Sequence, residues 1–275
     1  MNNPHEILNT IAEHAMRLFE DNLVIAQAVR RDCQPVLAKG CLPAHDKTHD
    51  FVNVDGLNVE LDRHVEATFC FPPGAFPDVS TVLDTYVQPS AIALAEYVES
   101  RLLNVVRERS TANKCVGSPV QPITEYTVDA IETALFNAKA NAEQWAILFV
   151  DGRTYKNDFQ TMARWMNQPG RGAPHGEGSI KHLSVSRTQL IQPGEMSNRF
   201  VAFVPETVLL VSRPVAPAPD ESPARISVYI YKNGYCLRVS ILDPAAETLE
   251  VQIEILFGIG IVNPAFLIPV EAKAA

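Results

Sequence analysis

The chain has little of what would advertise a metal knuckle, a disulfide frame or a membrane anchor. Its five cysteines, Cys33, Cys41, Cys70, Cys115 and Cys236, are odd in number, widely spaced and without a C-x-x-C pair. That pattern argues against a zinc knuckle and a stapled secreted domain, and it fits folding in a reducing compartment. No stretch of eighteen apolar residues occurs, so no membrane-spanning helix is expected. The start, MNNPHEILNT, lacks the basic residues and apolar core of a signal peptide, and a soluble, unexported protein is expected. Positive charge is scarce too: 23 Lys and Arg against 32 Asp and Glu leave a formal charge of −9. A groove that grips nucleic acid needs clustered cations to neutralise phosphates, so only loose contact with DNA is expected. Walker loop, dinucleotide fingerprint, G-x-S-x-G elbow and H-E-x-x-H are all missing.

What is present is core material, 47% hydrophobic residues over 275 positions, in a mixed order of elements that predicts an α+β fold. Val79 to Arg109 carries apolar residues at Val79, Val82, Leu83, Tyr86, Val87, Ala91, Leu94, Ala95, Val98, Leu102, Val105 and Val106, the spacing of one long amphipathic helix. At 1.5 Å per residue it would run roughly 45 Å. Pro89 lies inside it and predicts a kink or a restart near Gln88.

Before it, Asn3, Pro4 and Glu6 start an N-terminal helix, and Leu23 to Asp32 can be read as its extension or as a strand. Pro35 to Pro77 shows short alternating runs around the tight-turn pair Asp55-Gly56. Such a two-stranded arm needs another surface to lie on, either the long helix or a second subunit. After the long helix, a helix over Val128 to Ala142, a strand over Trp145 to Val150 and a helix from Tyr155 to Met166 are expected. Strand-like runs follow at Leu183 to Ile191 and Phe200 to Val211. PVAPAPDESPA, Pro214 to Ala224, reads as an exposed connection. Last come alternating runs through Leu237, Val239 and Ile241 and from Leu249 to Ile261, the latter roughly 40 Å long as a strand.

Few constellations suggest chemistry. His45 and His49, flanked by Asp46 and Asp50, have the i, i+4 spacing of a metal pair, but Pro43 places them in a loop-like segment that reads better as solvated. Gly170, Arg171, Gly172, His175, Gly176, Glu177 and Gly178 could cradle an anion, yet the preceding strand and following helix of such loops are missing. Tyr155, Phe159, Met162, Trp165 and Met166 read as the core face of a helix. Cys115, beside Lys114, has no sequence neighbour that would activate it.

The collinear order of parts is more informative. LFEDNLVIAQAVRRD (Leu18 to Asp32), Lys39-Gly40, VNVDGLNVELDRHVEATFCF (Val52 to Phe71) and YVQPSAIALAEYVESRLL (Tyr86 to Leu103) resemble the major capsid proteins of tailed bacteriophages, in the P22-coat-like branch of the HK97 capsid fold. NGYCLRVSILD (Asn233 to Asp243) and ILFGIGIVNPAFLIPV (Ile255 to Val270) are similar to that family's closing strands. The likeness covers both ends of the chain, and the middle fits by order of elements.

The resemblance implies an N-terminal arm or helix over residues 1–34, an extended E-loop hairpin over 35–77, a peripheral domain from 78–119 and 232–275 with a long spine helix and a long β-hairpin, and an axial domain over 120–231. It implies that Phe51, Leu57, Val59, Leu61, Val65, Ala67, Phe69 and Phe71 of the E-loop contact a neighbouring subunit. Leu83, Val87, Leu94, Val98 and Leu102 would form the core face of the spine helix. It implies a shell subunit and no enzyme, with no catalytic, cofactor or metal residue. Copies would gather as hexamers and pentamers into an icosahedral head around double-stranded DNA, touched weakly and without sequence preference. Assembly in the host cytoplasm would involve scaffolding and portal proteins. The namesake coat protein carries an inserted β-rich domain for which this chain has no room, so a cement protein or tighter E-loop contacts would substitute. An encapsulin-type compartment and, from another class, a small-oligomer α+β enzyme are the rival readings.

Overall fold

The computed structural model describes residues 4–33, 50–71, 79–140, 145–159, 178–180, 183–191, 197–217 and 222–273. The chain forms two compact units, one from Met1–Leu23, Arg31–Val98 and Leu209–Gly260, the other from Val24–Arg30, Glu99–Val208 and Ile261–Ala275.

The first unit is organised around a strand. Helix α1 (Pro4–Asp21) ends before Leu23, and a separate short helix α2 (Ile25–Ala28), which belongs to the second unit, and strand β1 (Arg30–Cys33) follow, so Leu23 to Asp32 neither extends the helix nor forms one strand. Strands β2 (Asp50–Val54), β3 (Leu57–Leu61) and β4 (Arg63–Phe71) follow. A four-residue helix α3 (Val79–Val82), a π-wound turn over Leu83–Val87 and helix α4 (Gln88–Ser110) make up the expected long helix.

In that π turn the Gln88 N–H bonds back to the Leu83 carbonyl, and the Ser90 hydroxyl donates to the Tyr86 carbonyl at 2.8 Å. The wider turn gives Pro89 room, since its ring would crowd the carbonyl four residues back in an ordinary α-helix. The expected restart near Gln88 is thus a change of winding. It also moves the stripe: Val82 is buried while Leu83 is only half-buried, which corrects the place of Leu83 in the core set. Val87, Ala91, Leu94, Ala95 and Val98 are buried as the spacing predicts.

Later in the chain come β10 (Val208–Arg213), β11 (Ile226–Lys232), β12 (Tyr235–Ile241) and the thirteen-residue β13 (Leu249–Ile261). The sheet runs β1-β10-β13-β12-β11, with β4 also pairing with β13. β13 and β4 are antiparallel from Leu249↔Phe71 to Phe257↔Arg63. The β11–β12 hairpin turns at Asn233 (φ 48°) and Gly234 (φ 86°), a primed turn that suits the strand twist. Helix α1 packs its buried Leu8, Ile11, Ala15, Met16 and Phe19 over β11 and β12, and the Phe19 ring meets Tyr235 edge-on at 5.4 Å.

The second unit holds another six-stranded sheet, ordered β5-β14-β9-β6-β8-β7. Its strands are β5 (Val116–Gly117), β6 (Ala146–Val150), β7 (Gly178–Ile180), β8 (Leu183–Arg187), β9 (Ser197–Phe203) and β14 (Leu267–Lys273). Helix α5 (Glu125–Asn137), capped by a Thr124–Thr127 capping box, packs against β5 and β14. A turn of helix α6 (Gly152–Thr154) runs into a π turn over Tyr155–Phe159, whose two rings stack at 6.4 Å.

The expected single run from Phe200 to Val211 is two strands, because Pro205 starts a 3-10 turn between β9 and β10 and sends them to different sheets. The compact units also divide the chain elsewhere than the expected domain bounds. β11 pairs through its hairpin with β12 in the first unit, and β14 pairs with β9 in the second.

Candidate assembly surface

The hairpin β2–β3 is built as the sequence predicts, with Asp55 (φ 50°) and Gly56 (φ 85°) forming a primed turn. The Gly56 N–H donates to Asn53 Oδ1 at 3.1 Å, and the Asn53 amide donates to Asn58 Oδ1 at 2.8 Å. One face of the hairpin is not open. Val54, Val59 and Leu61 are buried in a cluster with Leu209, Val211, Val215 and Leu256, with Leu57 and Val52 partly covered against it.

The approach is close enough to dictate sequence. A Cβ at Gly258 of β13 would lie 2.0 Å from the Glu60 carbonyl oxygen, and one at Gly260 would lie 2.7 Å from Val59 Cγ2. Two glycines two apart put a bare track on one face of the strand, and the hairpin seats there.

In β4 the side chains alternate. Val65 and Ala67 are half-buried, Phe69 and Phe71 are buried, and His64, Glu66, Thr68 and Cys70 are exposed. The Phe69 and Phe71 rings lie 6.0 and 6.1 Å from that of Tyr86. Of the side chains expected at a subunit contact, Val59, Leu61, Phe69 and Phe71 are therefore covered by their own chain. Phe51, 66% exposed, is left open. In the second unit Val120, Tyr126 and Phe136 are exposed. Sequence periodicity did not single these out, because an apolar residue on a helix is read as core until a structure shows which face is covered.

The titratable groups with buried surroundings are engaged in structural bonds. Glu254, 3% exposed, accepts from Arg225 at 2.8 Å, has Arg238 at 3.7 Å, and meets His64 Nε2 at 3.2 Å. His64, Glu66 and Glu254 present ligand atoms within 4.8 Å of one another. The guanidinium of Arg225 already supplies the positive charge a cation would bring to Glu254, and the Gln252 amide donates to Glu66.

Asp151, 1% exposed, caps α6 through the N–H groups of Arg153 and Thr154 at 2.8 and 3.0 Å, and takes further bonds from the Thr154 hydroxyl and the Asn198 amide. Glu99, 2% exposed within α4, accepts from the backbone N–H of Ile25 and Ala26 at 2.8 and 2.7 Å; burial holds its carboxyl above the usual range despite these bonds. Asp158 is likewise raised by burial and accepts from Ile123 N–H at 2.9 Å.

The other candidates divide. His45, Asp46 and His49 lie outside the described residues, as do Met162, Trp165, Met166 and all of the Gly170 to Gly178 loop but its last residue, which opens β7; Asp50 opens β2. Tyr155 and Phe159 are core residues. Partial desolvation and the Glu271 carboxylate hold the Cys115 thiol up, the reverse of activation. Among the described residues no helix is long and apolar enough to cross a membrane.

No protein-family model matches the chain, and no curated protein matches its sequence. Solved structures do match. A virus-like particle from Pyrococcus furiosus aligns over 95% of this chain and 98% of its own at 11% identity, with a TM-score of 0.55. The capsid of Cyanophage P-SCSP1u aligns over 94% and 88% at 11% identity and a TM-score of 0.53. Mycobacterium phage Che8 gives 90% of both chains, 12% identity and 0.50. The chain thus shares its fold with these particle and phage chains. It is a mixed α+β fold of the HK97 type, and phage capsid proteins dominate its structural neighbours.

Proposed function

We propose that this chain is a major capsid-type shell subunit, closing with copies of itself into the icosahedral head of a tailed phage around double-stranded DNA. The observation that carries the reading is coverage: the whole fold, and not one domain of it, aligns with virus-like particle and phage capsid chains. In this reading α3 to α4 with the π turn is the spine helix, β2 to β4 the E-loop, and the second unit supplies most of the axial domain. The chain catalyses nothing and needs no cofactor.

Self-contact falls to the most exposed of the large apolar side chains, Phe51 on the hairpin and Val120, Tyr126 and Phe136 in the second unit. Each contact is modest, but closed symmetry repeats it in every copy. The formal charge of −9 suits a lining that touches DNA weakly. Scaffolding, portal and cement proteins complete the expected partners.

The test is expression of the full chain with and without its genomic neighbours, followed by sizing and electron microscopy. Closed particles, with nuclease-protected DNA when the neighbours are present, support the reading. Particles that carry a co-purifying enzyme instead of DNA assign it to an encapsulin-type compartment. A small oligomer that never closes under either condition overturns it.

A further inference from the structure

The first unit needs a chemically fragile dipeptide where β11 turns into β12. Asn-Gly occurs once in the chain, at Asn233-Gly234, and it closes that hairpin with both residues at positive φ. Gly234 cannot be exchanged there, since at φ 86° a Cβ would also stand 2.6 Å from the Arg31 Cβ. Asn233, at φ 48°, is of a type that bears the left-handed conformation well for a residue with a side chain. Turn geometry thus selects the pair in which a side-chain amide is followed by a backbone nitrogen that no side chain shields.

The surroundings leave the reacting groups open. Asn233 is exposed, and among the described residues the Gly234 N–H meets no acceptor. The turn at Asp55-Gly56 differs, because there the Gly56 N–H is held by Asn53 Oδ1 at 3.1 Å. What restrains Asn233 is the end of α1. Its Nδ2 donates to Glu20 Oε1 at 2.7 Å, in the last turn of that helix, while Lys232 Nζ pairs with Glu20 Oε2. Glu20 is 8% exposed, so this buried carboxylate fastens the end of α1 to the hairpin.

We propose that Asn233 is a deamidation site in the folded chain, and that the carboxylate formed there undoes the tie between Glu20 and the hairpin. The Gly234 nitrogen gives its proton to solvent and attacks Asn233 Cγ. The Cγ–Nδ2 bond breaks, and the amide nitrogen takes a proton from solvent and leaves as ammonia. Water then opens the cyclic imide at either carbonyl, giving aspartate or isoaspartate. Aspartate sets a carboxylate against Glu20 where a donor stood, with Lys232 shared between two negative charges. Isoaspartate adds a backbone carbon to the two-residue turn that fixes the Lys232↔Tyr235 register. Glu20 is therefore both the restraint on the reaction and the group its product repels. The inference goes beyond the shell reading and does not depend on it.

The experiment incubates the full-length chain under native conditions in mildly alkaline buffer and maps its peptides by mass spectrometry, with a guanidinium-denatured sample alongside. Conversion of Asn233 to both products in the native chain, ahead of the other asparagines, is expected. Hydrogen exchange over residues 17–23 is several-fold faster in the converted fraction, and its Tm is lowered. Glu20→Ala raises the conversion rate several-fold, because the bond that restrains the amide is gone, and Asn233→Asp reproduces the lowered Tm without incubation. An Asn233 that stays intact in the native chain while the denatured sample converts overturns the site. A converted chain whose α1 exchanges at the parent's rate overturns the consequence. Both of these are read on the unaltered chain, so misfolding of a variant does not blunt the test.

Discussion

The two units each bury a carboxylate, and they neutralise its cost in different ways. In the first, Glu254 stands among charges: Arg225, just before β11, and Arg238 on β12 face it, with His64 beside it. In the second, Asp151 is satisfied by neutral donors, two N–H groups, a hydroxyl and an amide. A buried ion cluster is held together by mutual compensation, so losing one member strands the others. A carboxylate held by neutral dipoles leaves only unsatisfied donors when removed. The same chemical group therefore carries different weight in the two sheets.

Breaking the first arrangement has the largest expected effect. Glu254→Ala leaves the Arg225 and Arg238 side chains, 13% and 4% exposed, without their shared counter-charge. A loss of about 3–5 kcal/mol in urea unfolding is expected from removing one partner of a buried ion pair. Asp151→Ala, by contrast, removes a helix cap and leaves Asn198 short of an acceptor, for an expected loss of about 2–3 kcal/mol. Equal costs for the two variants would show that the distinction between charged and neutral compensation has no energetic content.

Glu99 sharpens the comparison, because it is held by neutral N–H donors like Asp151 yet burial raises its carboxyl above the ordinary value of 4.5. The folded state thus binds this proton more tightly than the unfolded state. Its contribution to stability is complete below 4.5 and is lost as pH rises through the raised native value. Asp158, raised by the same cause, acts in the same direction. Glu99→Gln should shift stability by about 1 kcal/mol at neutral pH and flatten the decline of stability with rising pH, measured as denaturation midpoints across the acidic range. An unchanged pH profile would show that Glu99 is not the group being titrated.

The sequence made local features legible and distant ones not. Apolar spacing around Pro89 announced both the long helix and its irregular turn, and the alternation from Leu249 to Ile261 announced β13. Asp55-Gly56 marks one hairpin, and Asn233-Gly234, an equally good local signal, closes the β11–β12 hairpin. Glu250, Gln252 and Glu254 alternate with the apolar residues of β13, yet Gln252 and Glu254 are 8% and 3% exposed. Their cover comes from Arg225, just before β11, and Arg238 on β12, and partners that far apart in the chain leave no periodic trace. The bond from Glu99 to the N–H groups of Ile25 and Ala26 is illegible for the same reason. Gly258 and Gly260 were a readable sign that something presses on β13, but nothing in the sequence said it was the hairpin.

That seat changes how the surface should be tested, and it yields the smallest effect on stability. Deleting Asn53 to Asp62 would uncover Leu209, Val211, Val215 and Leu256, confusing lost folding with lost assembly. Phe51→Asp avoids the confusion, because Phe51 is 66% exposed and lies outside the cluster that binds Val54, Val59 and Leu61. Unfolding of this variant should stay within about 0.5 kcal/mol of the parent, as for a surface change that breaks no internal contact. Its charge would face an apolar neighbour in every repeated contact of a shell, so particle yield on a sizing column should fall while the folded subunit accumulates. Particles at the parent's yield would remove Phe51 from the contact and leave the exposed Tyr126 and Phe136 of α5 to carry it.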